Sequence, residues 1–390
     1  MSVMYNREYF DAGLYRVGTA CEKWDACRAR SGADVLPMWV ADMDFPSPPE
    51  VQAALLRRAA HPTYGYTEVE DSLTDALRGF WERRHGLRIA REDIGLLPCV
   101  VTGMKMAIRA LTAPGDRVII QSPVYGPFRM SVEVTGRQVA DAPLLRGENG
   151  RYSMDLEAVE ARCREGARLM MLCSPHNPVS RLWSAGELSA LLEVLGRYGV
   201  PLVSDEIHAD FILGGRQFVP ALNLRREGVV SLCAPSKTFN LAGLQTAFFL
   251  CPDAENRGKL QQEVAAAGAV SGNIFGLTAA QAAFEHGDAW LDGLLDYLDG
   301  NRAELERQVA EQLPGAVLTP MEATYLGWLD LRATGLSQEE LERRTAEAGV
   351  VYTTGTFFGE AGRGFLRVNI GCPRRHIAEA LRRTRRALGA

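Results

Sequence analysis

An α/β fold is what this sequence predicts: a large domain with a mostly parallel sheet between helices, joined to a smaller α+β domain. Three observations carry the expectation. Short apolar runs at Val118 to Gln121, Leu169 to Cys173, Pro201 to Ser204 and Val229 to Cys233 alternate with helical stretches, as strands buried on both faces do in βα units. Past Pro252 the pattern turns to helices, with two further strand-like stretches near the C-terminal end. And 390 residues are more than one hydrophobic core usually serves.

Residues 1 to about 45 show aromatic and acidic residues without periodicity, as in Lys23-Trp24-Asp25 and Trp39-Val40-Ala41-Asp42-Met43-Asp44-Phe45. This is an arm, either plain or packed over the rest of the chain. Pro48 to Ala60 and Ser72 to His85 carry apolar residues at helical spacing. Between them lies the turn-rich loop His61 to Thr67. Ala185 to Tyr198 is a helix between two strands, with Ser184 placed as its N-cap. Thr246 to Cys251 follows Val229 to Cys233 too closely for a helical crossover and is expected to be antiparallel to its neighbour. Lys259 to Ala267, Leu277 to Phe284 and Ala289 to Leu313 read as helices. Thr324 to Asp330 and Gly364 to Ile370 read as strands around a helix at Gln338 to Ala348, and a last helix starts near His376. The expected domains are 46–285 for the large one, with 1–45 and 286–390 forming the small one.

Composition narrows the class. An apolar content of 47% and a charged content of 23% suit a globular protein. The net charge of −5 comes with no long basic run, which argues against nucleic acid as a partner. The arginine-rich stretch Arg374 to Arg386 has the spacing of one solvated helix face. None of the eight cysteines forms a CxxC pair, and Cys173, Cys233 and Cys251 sit in strand-like runs; buried thiols in a reducing, cytoplasmic setting are expected. The most apolar long stretch, Val264 to Phe284, is broken by Ser271, Gly272 and Asn273, so no membrane span is expected. No metal is invoked.

The chemistry collects at strand ends. Leu169 to Cys173 leads into Ser174-Pro175-His176-Asn177-Pro178, Pro201 to Ser204 into Asp205-Glu206-Ile207-His208, and Val229 to Cys233 into Pro235-Ser236-Lys237. These ends recur at about one βα unit, roughly 30 residues, and ligands of doubly wound sheets bind beyond the carboxyl ends of the strands. Lys237 is a lone cation between apolar segments, and a desolvated lysine is a nucleophile toward an aldehyde. Taken singly, Asn177 is an ordinary turn residue, Asp205 a helix N-cap, Tyr125 a core or rim aromatic, and Lys237 a surface lysine. Together they meet the needs of pyridoxal phosphate. Lys237 serves the aldehyde, Asp205 keeps the ring nitrogen protonated, and Asn177 donates to the phenolic oxygen. Tyr125 stacks on the ring. The turn Val100-Val101-Thr102 opens a helix and offers backbone N–H groups to the phosphate, although it lacks a glycine-rich fingerprint.

Over nearly its whole length the chain resembles a fold-type I pyridoxal-phosphate enzyme of the aspartate aminotransferase superfamily, and within it the cystathionine β-lyase-like, or C–S lyase, branch. The resemblance rests on Lys23-Trp24-Asp25, Val40 to Phe45, Gly65-Tyr66-Thr67, Ser174 to Pro178, Ser204 to His208, Ala234 to Gln245, Thr324-Tyr325-Leu326 and Arg367 to Pro373. It implies a seven-stranded large-domain sheet and covalent attachment of the cofactor to Lys237, with Ser236 beside it in the cofactor site. It also implies His208 where aminotransferases often carry a tyrosine, and Arg367 as the clamp on the substrate α-carboxylate. Tyr66 would reach the active site of a neighbouring subunit, making a homodimer, and the loop around Trp39 or Phe357 to Gly359 would read the substrate side chain.

The chain departs from the superfamily pattern in two places. The arginine that aminotransferases carry eight residues after the lysine is Gln245 here, and the common Asn-Pro-Thr-Gly is Asn177-Pro178-Val179-Ser180. The first departure favours a β-lyase acting on L-cystathionine or related S-substituted cysteines over an aminotransferase. The second removes a permissive glycine from the loop. A non-catalytic regulatory protein on the same fold is the remaining alternative.

Overall fold

A computed structural model describes residues 5–389; residues 1–4 and 390, the outermost parts of the segments expected to form the small domain, lie outside the described residues. The large sheet has seven strands: β1 (Ile94–Leu97), β2 (Arg117–Ile120), β3 (Gln138–Asp141), β4 (Ala167–Cys173), β5 (Leu202–Asp205), β6 (Val229–Cys233) and β7 (Ala247–Leu250). Their spatial order is β1-β7-β6-β5-β4-β2-β3. β6, β5, β4, β2 and β3 pair in parallel, while β7 runs antiparallel to both of its neighbours, as the short link after Cys233 requires.

The two-residue period of the strands sorts side chains onto opposite faces. Leu169, Met171 and Cys173 of β4 join Val203, Leu232 and Phe249 in one apolar cluster, and Met170 and Leu172 join Leu202, Val229 and Phe248 in the other. β5, β6 and β7 are buried at every position, so each face is covered by helices. The helix Ala185–Arg197 begins at Ser184 with a reciprocal cap: the Ser184 hydroxyl accepts from the Glu187 N–H, and the Glu187 carboxylate accepts from the Ser184 N–H.

A second, five-stranded sheet gathers segments from both ends of the chain. Leu36–Met38 pairs in parallel with Val350–Thr354. Beyond it come Phe365–Asn369, Leu326–Asp330 and Val317–Leu318, all antiparallel. The long helix Asp288–Gln312 packs beside the final helix Arg374–Leu388.

The N-terminal arm is more regular than its lack of periodicity implies. It holds the helix Arg7–Ala12 and a π-helical turn, Glu22–Ala26, running into Cys27–Ser31. The edge strands β1 and β3, the helices Pro127–Val134 and Leu156–Arg164, and the strand Val350–Thr354 also went unread in the sequence. Edge strands are only half-buried and carry no continuous apolar run. Among the described residues no helix is long and apolar enough to cross a membrane. All eight cysteines are free thiols, and seven are buried.

Candidate active site

β4, β5 and β6 end side by side, and the loops leaving them border one cavity of about 180 Å³. Its lining includes Val100, Val101, Tyr125, Asn177, Asp205, His208, Ser236 and Lys237. Of the residues singled out in the sequence, Thr102, Trp39, Arg367 and Tyr66 lie outside that lining.

Lys237 sits in the short helix Pro235–Thr238 directly after β6. Burial lowers its ammonium to about 8, the nearby Arg367 pushes the same way, and Asp42 and Asp205 oppose. Its amine donates to the Ala41 carbonyl. Asp205 ends β5, is 5% exposed, and accepts from the Ile207 N–H at 3.1 Å. Burial raises its carboxyl to about 7. His208, three residues on, is buried against Phe211 and Tyr325. Burial, with the Lys237 and Arg367 charges, drives it down to about 3, so it is a neutral imidazole at physiological pH, and its Nδ1 has no partner.

Tyr125 packs edge-to-face on Phe357 with ring centres 5.8 Å apart, and its N–H donates to the Asn177 carbonyl at 3.1 Å. The helix Val100–Leu111 points its N-terminus at the cavity. Its first helical bond is Gly103 N–H to Cys99 carbonyl, which leaves the N–H groups of Val100, Val101 and Thr102 without helical partners. The Thr102 hydroxyl lies 3.2 Å from Cys99 Sγ.

Arg367 is central in the strand Phe365–Asn369 and 3% exposed. Nη1 donates to Asn177 Oδ1 at 3.1 Å, and Nη2 to the Trp39 carbonyl at 2.8 Å and Thr353 Oγ1 at 3.1 Å. Its guanidinium lies 5.0 Å from the centre of the Phe358 ring, and buried Nε has no partner. Burial lowers it to about 10. The structure thus brings Arg367 to Asn177, at the edge of the cavity.

Trp39 lies beside the cavity lining, next to Arg367. Its indole donates to the Lys23 carbonyl at 3.1 Å and lies under Arg30, while its main-chain carbonyl accepts from Arg367. Tyr66 is fully exposed on this chain. At Ser180, where the superfamily pattern has glycine, φ is +54°. This buried serine takes the left-handed conformation itself. Its hydroxyl donates to the Leu326 carbonyl, and its own carbonyl accepts from Glu322 and Ala323, contacts that offset the strain.

Sequence reasoning missed the Ala41 carbonyl and Thr353. Ala41 accepts from both Lys237 and Tyr325, but a main-chain acceptor leaves no mark in residue identity. Gln245 and Thr246 also line the cavity; Gln245 was legible through its distance from the lysine.

Pyridoxal phosphate fits these residues. A dry carboxylate with one backbone donor suits a pyridinium nitrogen, and a desolvated amine suits an aldehyde. Unbonded helix N–H groups suit a phosphate.

Comparison with known proteins agrees. The chain is 40% identical to the cystathionine beta-lyase PatB of Bacillus subtilis (strain 168) over 385 residues, covering 97% of this chain and 99% of that protein. Cystalysin from Treponema denticola, solved with pyridoxal 5'-phosphate, superposes with a TM-score of 0.93 at 29% identity, covering 97% of this chain and 98% of that one. The pyridoxal-phosphate-bound C–S lyase of Staphylococcus hominis gives 0.91 at 28% identity, covering 98% of each. The Aminotransferase class I and II description matches residues 33–383, and with the geometry of Lys237, Asp205 and Arg367 in place, the chain belongs to that family.

Proposed function

We propose that this protein is a pyridoxal-phosphate-dependent C–S β-lyase that converts L-cystathionine or related S-substituted L-cysteines, with one water, to a thiol, pyruvate and ammonia. The observation that carries the reading is the Lys237 amine and the Asp205 carboxylate on one dry cavity, with Arg367 at its edge. The likeness to PatB and to the C–S lyases supports the substrate class.

Lys237 would hold the cofactor through its amine, Asp205 would pair with the ring nitrogen, Asn177 and neutral His208 would face the phenolic side, and Tyr125 would cover the ring. Ser236 and the Val100, Val101 and Thr102 N–H groups would take the phosphate. When bound, the cofactor supplies an electron sink for charge developing at the substrate Cα. Arg367 binds the α-carboxylate, the geometry its planar fork suits. The Lys237 amine, lowered to about 8 and set free once the substrate amino group takes its place, would take the Cα proton as general base. Loss of that proton and rupture of the Cβ–S bond leave the sulfur with the electron pair. The thiolate takes up a proton, and water converts the remaining three-carbon fragment to pyruvate and ammonia.

Neutral Gln245, which lines the cavity where aminotransferases carry an arginine for the phosphate, supports lyase over aminotransferase. The same reading makes the protein a cytoplasmic homodimer in which Tyr66 reaches the partner's site; its full exposure here supports that. It divides the chain into a large domain, 46–285, and a small one from 1–45 and 286–390, supported by the two separate sheets.

Incubating the purified, cofactor-loaded protein with L-cystathionine tests the proposal. Pyruvate release without added keto acid is expected, and it should vanish, with the yellow cofactor absorbance, in Lys237→Ala. Turnover only with a keto acid would mean an aminotransferase, and a yellow but inert protein a non-catalytic role.

A further inference from the structure

One buried cluster has no part in the chemistry above. Lys23 is 0% and Asp44 2% exposed. Asp44 accepts from Lys23 Nζ at 2.9 Å, from Trp24 Nε1 at 2.8 Å and from Arg16 Nη1 at 3.1 Å. Arg16 Nη2 also reaches Asp42 at 2.8 Å, and Lys23 Nζ donates to the Asp42 carbonyl at 3.2 Å. Two cations and two carboxylates thus close on one another at residues 42 and 44.

These residues end a strap, 39–44, that touches both working ends of the site. Next to Lys237, the Asn240 side chain accepts from the Met43 N–H at 3.1 Å and donates to the Met43 carbonyl at 2.9 Å. Next to Arg367, Asn369 Nδ2 donates to the Val40 and Asp42 carbonyls. The Trp39 carbonyl accepts from Arg367 Nη2 and from Thr353 Oγ1, at 2.8 and 2.9 Å. The strap has no regular structure of its own between Met38 and Pro49; main-chain bonds fix Asp44 to Gly371 and Leu14, and the carbonyls of residues 39 to 43 are held by side chains.

We propose that Asp44, held by Lys23 and Arg16, is a positioning residue for the substrate α-carboxylate: it fixes the 39–44 strap, whose Trp39 carbonyl orients the Arg367 guanidinium. A buried ion cluster holds geometry well because breaking it strands a charge away from water. A guanidinium displaced by a fraction of an ångström loses its two-point grip on a carboxylate. The inference rests on Arg367 as the carboxylate clamp.

The test is calorimetric and independent of turnover. Cofactor-loaded wild type, Asp44→Asn and Arg367→Ala are titrated with 3-(methylthio)propanoate, a carboxylate that cannot react, and with 2-(methylthio)ethylamine, which lacks the carboxylate. Asp44→Asn is expected to weaken carboxylate binding by roughly tenfold or more while leaving amine binding within about twofold. Equal losses for both ligands, or unchanged carboxylate binding in a folded variant, overturn the proposal. Should Asp44→Asn not fold, Arg16→Gln removes the guanidinium's bonds to Asp42, Asp44 and the Met43 carbonyl at a half-buried position and is judged by the same criteria. Unchanged carboxylate binding in Arg367→Ala would bring down the clamp itself. A loss there without one in Asp44→Asn or Arg16→Gln brings down only the tether.

Discussion

Asp205→Asn in the cofactor-free protein should make folding stability less dependent on pH. The Asp205 carboxyl is almost fully buried and receives one backbone bond. Burial raises it from an ordinary 3.8 to about 7, with the Ile207 N–H and the Lys237 charge opposing. Between about pH 4 and pH 7 the folded chain therefore keeps a proton that the unfolded chain has released. Stability contributed by this group is full below the unfolded value and falls as pH rises through the folded one. A displacement of that size corresponds to about 4 kcal/mol at pH 8. Asparagine has the same shape and no charge, so the variant escapes the loss. Glu206, also raised to about 7 by burial, remains in both proteins and largely cancels in the comparison. Urea unfolding of wild type and variant at pH 5 and pH 8 gives the numbers. About 1.7 kcal/mol of the loss has already occurred by pH 5, so the variant should gain on the wild type by about 2.6 kcal/mol between the two conditions. Adding pyridoxal phosphate should favour the wild type at pH 8, because a ring cation then partners the carboxylate. A relative gain under about 1 kcal/mol would refute the idea that this carboxylate is desolvated and waiting for a cation.

Other perturbations separate binding from scaffold. Arg367→Ala removes a buried clamp worth two charge-assisted hydrogen bonds of about 1.5–3 kcal/mol each. KM for S-substituted cysteines should rise about 100-fold or more with a smaller change in kcat, and an unchanged KM in steady-state kinetics would contradict the clamp. Gly355→Ala places a Cβ into the Gly362 carbonyl oxygen and 2.5 Å from that of Phe365. Neither backbone can yield cheaply, so a loss of about 3 kcal/mol is expected in thermal unfolding. Activity should fall too, because the same turn carries Phe357 and Phe358 against Tyr125 and Arg367. Mixed subunits test the homodimer: Lys237→Ala and Tyr66→Ala proteins, each weak alone, should regain pyruvate release when dissociated and reassembled together. No recovery would place Tyr66 outside the partner's site.

The strands that form the floor of the site were legible because a sheet covered on both faces needs apolar side chains at every position. Leu169 to Cys173 and Val229 to Cys233 could be little else. Their regular spacing put Asn177, Asp205 and Lys237 at neighbouring strand ends, and burial alone then accounts for the direction of each shifted proton affinity. Edge strands such as Gln138–Asp141 carry too little apolar signal to be read.

What residue order determined was the set of reactive groups and the parallel scaffold beneath them, since both follow from local pattern and from the length of a βα unit. Only the folded chain decided how Arg367 is held. Its partners at Trp39, Asn177 and Thr353 come from three distant segments, two of them main-chain or hydroxyl acceptors that many residue types could supply. Only the fold, likewise, turned Lys23 and Asp44 into a buried pair, because a charge shows its partner in sequence only when the two are a helical turn apart, and these meet across a loop.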